Sequence, residues 1–100
     1  MRALVALASL LLVATPALAA ETVTIDNFTF APAEVTVARG TEVRWVNQDD
    51  IPHVVAAADG AFTSLPLDTG DGFARTFAEP GRYEYFCAIH PHMKGTIVVR

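Results

Sequence analysis

The sequence predicts an all-β fold, a Greek-key sandwich of two sheets built from about seven or eight strands. Three observations predict it. Short stretches alternate apolar and polar residues with a period of two, turn residues punctuate them at short intervals, and beyond residue 20 no stretch carries a convincing helical period.

Residues 1–20 stand apart from that pattern. Arg2 is a short positive start, residues 3–13 are an almost unbroken apolar run, and Ala17, Leu18 and Ala19 form a small-x-small cleavage signal. This is the layout of a secretory signal peptide. The run is shorter than the roughly 20 apolar residues a membrane-spanning helix needs, and no later stretch is long enough to span. Residues 21–100 then form one small domain of about 80 residues with a modest core. The expected location is the periplasm or another exported compartment.

The strands follow in order. T-V-T-I-D, E-V-T-V-A and T-E-V-R-W-V alternate, the last of them after Arg39 and Gly40. Residues 53–57 are mostly apolar, as in a strand buried on both sides. Asp59 with Gly60, and Gly70 to Gly72, read as turns, and the irregular stretch 57–72 has room for a short helical turn. F-A-R-T-F alternates again, Glu79, Pro80 and Gly81 turn the chain into R-Y-E-Y-F-C, and residues 95–100 close a sheet. Trp45, Phe28, Phe30, Phe77 and Tyr85 are the expected large core side chains.

Charge removes some function classes. The whole chain carries a formal charge of −4, and loss of Arg2 with the leader takes the seven basic residues to six against eleven acidic ones. There is no basic footprint for nucleic acid, and no Gly-rich phosphate loop or serine triad is visible. The chain has a single cysteine, so no internal disulfide is possible, and an exported thiol calls for protection that metal ligation supplies.

Residues 83–95, Y-E-Y-F-C-A-I-H-P-H-M-K-G, hold that cysteine, two of the three histidines and Met93. A thiolate, two imidazoles and a weak axial thioether are what copper cycling between +1 and +2 asks for. Cys87, His90 and Met93, with His53 from I-P-H-V-V, supply them. The C-x-x-H-x-x-M rhythm of three lets a tight turn, stiffened by Pro91, aim three side chains at one point from a loop between two strands. Zinc on Cys87, His53, His90 and His92 is the rival. It leaves Met93 without a role and uses two histidines that diverge across a proline.

The segments I-D-N-F-T-F-A-P, W-V-N-Q-D-D-I-P-H, E-P-G-R-Y-E-Y-F-C and H-P-H-M-K-G together resemble the type 1 (blue) copper proteins of the cupredoxin superfamily. They are most similar to its small amicyanin/plastocyanin-like members, over about residues 22–100. The resemblance implies a cupredoxin-like sandwich with one copper ion (Cu2+/Cu+) on His53, Cys87, His90 and Met93. It implies an exported monomeric electron carrier, not an enzyme, that docks briefly with redox proteins. Electrons would leave by the solvent edge of His90, in a docking face of Ile51, Pro52, Ile89, Pro91 and His92. Asp49, Asp50, Asp59, Asp68 and Asp71 are expected as an acidic rim. The alternative function is a periplasmic copper-binding or delivery protein, against which the single methionine near the site counts. A purely structural sandwich without metal is a third reading.

Two positions depart from the family pattern. His92 stands where such sequences often carry phenylalanine. Val54 stands where an asparagine often ties the two ligand segments together. The Val54 backbone N–H is still free to donate to the Cys87 sulfur, and Asn47 is the expected alternative polar tie.

Overall fold

The computed structural model describes residues 19–100. The expected leader, residues 1–20, lies outside the described residues except for its last two, and Ala20 already pairs with Glu42. Eight strands occur among the described residues. They are β1 (Ala20–Asp26), β2 (Thr29–Ala31), β3 (Glu34–Val37), β4 (Thr41–Asn47), β5 (Val55–Ala57), β6 (Gly72–Phe77), β7 (Gly81–Cys87) and β8 (His90–Val99). One sheet has the order β2-β1-β4-β6 and the other β3-β8-β7-β5. The β1–β4 and β3–β8 pairs are parallel and the remaining pairs antiparallel. Only β1–β2 and β7–β8 are hairpins, and every other connection hops between sheets. No helix of the described residues is long and apolar enough to cross a membrane.

Period-two alternation builds the core. Val23 and Ile25 of β1, Val43 and Trp45 of β4, Tyr85 and Cys87 of β7, and Ile97 and Val99 of β8 all point inward. Trp45 is the hub. Its ring lies 5.3 Å from Tyr85, 5.7 Å from Phe73, 6.2 Å from Phe62 and 6.4 Å from Phe77, within the range at which aromatic pairs attract. Neither the Trp45 Nε1–H nor the Tyr85 hydroxyl has a well-formed hydrogen-bond partner. Burial pushes the Tyr85 phenol up to about 12, and the nearby indole only partly offsets it. Strand β5 is buried along its whole length, as its apolar run foretold.

The structure corrects the sequence reading at four places. Phe28 is not core but 42% exposed. It shares with Asn27 the two-residue turn between β1 and β2, where φ is 57° for Phe28 and 52° for Asn27. Left-handed backbone at both central positions matches the right-handed twist of a hairpin, and it swings the Phe28 ring out of the alternation. Residues 57–72 hold no helix; two isolated bridges, Ala56 with Thr63 and His53 with Leu67, order the stretch instead. The C-x-x-H-x-x-M segment is a hairpin end, not a loop, because β8 begins at His90 and only Ala88 and Ile89 form the turn. Asp49, finally, is buried and does not belong to an acidic rim.

Candidate metal centre

Three elements converge at one end of the sandwich. β4 ends at Asn47, and the chain then runs to His53 before β5. The His53 backbone is pinned on both sides, its N–H donating to the Leu67 carbonyl at 3.1 Å and its carbonyl accepting from Leu67 N–H at 2.8 Å. The Asn47 amide donates to the carbonyls of Ile51 (2.9 Å) and Leu67 (2.8 Å), and its oxygen accepts from Asp49 N–H at 2.9 Å. Asn47 therefore braces the His53 segment itself. The link across to the cysteine strand is the Val54 N–H, which donates to Cys87 Sγ at 3.4 Å.

Cys87 ends β7, fully buried and unpaired by any disulfide. The hairpin register breaks there. Phe86 pairs with Lys94, whereas Cys87 pairs with His90, so Pro91, His92 and Met93 fall in a bulge. That bulge turns His90 back toward the cysteine and leaves Met93 buried, while His92 faces solvent. The Nδ1 atoms of His53 and His90 lie 3.6 Å and 3.7 Å from Cys87 Sγ. All three donors fall within 4.8 Å of one another. A tetrahedral ion with bonds of about 2.3 Å to sulfur and about 2.0 Å to nitrogen spaces such donors about 3.5 Å apart, so the geometry fits a single metal. His92 takes no part in this cluster, which removes the four-ligand zinc set built on it.

The sequence reading missed two residues of the site. The Asp49 carboxylate accepts from His53 Nε2–H at 2.7 Å, from Asn27 N–H at 2.6 Å and from Phe28 N–H at 3.0 Å. Burial pushes this carboxyl up, but the Phe28 N–H, His53 and the Asn27 N–H together outweigh it and hold the group below its ordinary 3.8. The other is Phe28, whose ring meets those of His53 (5.5 Å) and His90 (5.2 Å) edge to face. Of the expected docking residues, Ile51 is half-buried, and Pro52, Ile89, Pro91 and His92 are exposed.

The model of the cupredoxin-like domain matches residues 3–99. Amicyanin from Paracoccus versutus is 38% identical over 80 residues, spanning 75% of this chain and 61% of that protein; the chain thus falls short of two thirds of this relative's length. Among solved structures, a purple cupredoxin from Nitrosopumilus maritimus superposes with a TM-score of 0.75 at 32% identity, covering 80% of this chain and 99% of that one. A mutant amicyanin in its Cu(I) form does so with a TM-score of 0.78 at 30% identity, covering 87% and 88%. The fold, the convergent donors and the length of the match agree, and the chain belongs to the cupredoxin-like family.

Proposed function

We propose that this protein is an exported, monomeric electron carrier holding one copper ion on His53, Cys87, His90 and Met93. The observation that carries the reading is the approach of two imidazole Nδ1 atoms, at 3.6 Å and 3.7 Å, to one buried thiol. Bound there, copper supplies one-electron chemistry between Cu(II) and Cu(I), and a structural neighbour of this chain is an amicyanin in the Cu(I) form. Cys87 would supply the thiolate, His53 and His90 the imidazoles, and Met93 a weakly held thioether. The sheets hold the His53, Cys87 and His90 donor atoms close together before any ion arrives, so little has to move when the charge changes.

His90 is half-buried and gives the electron its route to the surface. Ile51, Pro52, Ile89, Pro91 and His92 form the face on which a redox protein docks, and Phe28 joins them. Small, largely apolar contacts of this kind suit brief encounters. The exposed Asp50, Asp59, Asp68 and Asp71 steer a basic partner toward that face.

The test is the visible spectrum of residues 21–100 with one equivalent of Cu(II). An intense thiolate-to-copper band toward the red end is expected. The Cys87→Ser variant should lose it while keeping the circular dichroism of a folded sandwich. A colourless wild-type complex, or a serine variant with the band intact, would overturn the assignment.

A further inference from the structure

The Asp49 carboxylate holds two parts of the site at once. On one side it takes the Nε2–H of His53 at 2.7 Å, and on the other the backbone N–H groups of Asn27 at 2.6 Å and Phe28 at 3.0 Å. Its own backbone is fixed as well, with its N–H on the Asn47 side chain and its carbonyl accepting from the Thr69 hydroxyl. Asn27 and Phe28 both carry left-handed backbone. That conformation is rare for a bulky aromatic and persists where the surroundings over-determine it. Here the tight β1–β2 hairpin and the carboxylate together hold it, and the phenyl ring sits edge-on against both histidines.

We infer that Asp49 is a positioning residue of the centre, fixing the His53 tautomer so that Nδ1 faces the metal and biasing the bound ion toward its higher charge. The inference rests on the copper reading above. A histidine has one lone pair to give only if its proton sits on the other nitrogen, and a carboxylate at Nε2 puts it there. The same negative charge lies one imidazole ring from the metal. It attracts the extra unit charge of Cu(II) and therefore stabilises the oxidised over the reduced form. Groups that orient a ligating histidine in this way change metal affinity by about 10–100-fold when replaced. The sequence contains several exposed aspartates, but among the described residues this one is buried against a candidate ligand.

The experiment compares wild type with Asp49→Asn in the copper-loaded protein, and uses Asp26→Asn, an exposed carboxylate beside the same turn, as the control. Affinities for Cu(II) and Cu(I) are measured separately, with the midpoint potential on the same samples. Asp49→Asn should lose at least tenfold more affinity for Cu(II) than for Cu(I), which a one-electron couple reads as a rise of about 59 mV per tenfold. Asp26→Asn should leave both affinities unchanged. Equal losses for the two ions, no loss at all, or the same shift in the control would overturn the role of Asp49 while leaving the copper site standing. A wild type that binds no copper would bring down both readings. Should Asp49→Asn fail to fold, nitrogen-15 spectra of the wild-type Cu(I) protein decide alone. A slowly exchanging proton on His53 Nε2 supports the inference, and its absence overturns it.

Discussion

His90 pairs with Cys87 and His92, two positions on, falls in the bulge that follows, which separates a candidate ligand from a surface residue. His90 presents Nδ1 to the thiol at 3.7 Å, whereas the His92 ring lies 6.4 Å from that of His90 and outside the donor cluster. His92→Phe should therefore keep the copper spectrum, and His90→Ala should open or lose the site. The reverse result would transfer the ligand role to His92. The candidate donors could be named at this scale because soft ligands are rare and the three-residue rhythm of Cys87, His90 and Met93 stands out against chance, and the structure gathers His53, Cys87 and His90. Phe28 and Asp49 could not be read as part of the site. An aromatic after I-D-N reads as core by its type, and an aspartate in Q-D-D reads as solvated. Only the left-handed backbone of the β1–β2 turn reveals that the two belong to one device. Val54 lay between these cases: its departure from asparagine was visible, and its backbone bond to sulfur does part of the asparagine's work.

At the level of elements, the hairpin β7–β8 carries three of the four candidate donors, and Gly95 lies opposite Tyr85 in its register. A Cβ added at Gly95 would sit 2.3 Å from the Tyr85 Cζ and hydroxyl oxygen. The phenol has little room to yield, being 4.7 Å from the Phe30 ring and 5.3 Å from that of Trp45. Gly95→Ala should cost about 1–3 kcal/mol, the usual range for overpacking a core. The displaced Tyr85 lies two residues from Cys87, so the copper band should shift as well. Denaturant titration of the apo protein and the spectrum of the loaded one check the two effects, and an unchanged midpoint would show that the ring moves freely. Seven strands could be read, most from alternation and β5 from its apolar run, because each buries one face or both. The short β2 escaped, as did the first half of β8. There Pro91 argues against a strand by its missing N–H, but β3 pairs only with Thr96 and the residues after it near that end, so Pro91 has no neighbour on that side to satisfy.

For the molecule as a whole, the two sheets hold the candidate donors at one end without help from a bound ion. His53 comes from the β4–β5 connection and the rest from β7–β8, which lie far apart in the chain, so the site exists only where the sandwich does. The unfolded chain cannot offer the same constellation, and any ion that binds only the folded form must stabilise it. At a free concentration a thousandfold above the dissociation constant the gain is about 4 kcal/mol. For a domain of this size that corresponds to a rise of roughly 15–30 °C in the thermal midpoint. Because the donor atoms of His53, Cys87 and His90 lie within 4.8 Å of one another before loading, copper should raise the midpoint without building new secondary structure. Far-ultraviolet circular dichroism of the apo and loaded forms should therefore coincide at 25 °C and separate only on heating. Coincident melting curves would show that copper does not bind the folded state in preference to the unfolded one. An apo protein lacking strand signal at 25 °C would show instead that the ion builds the fold.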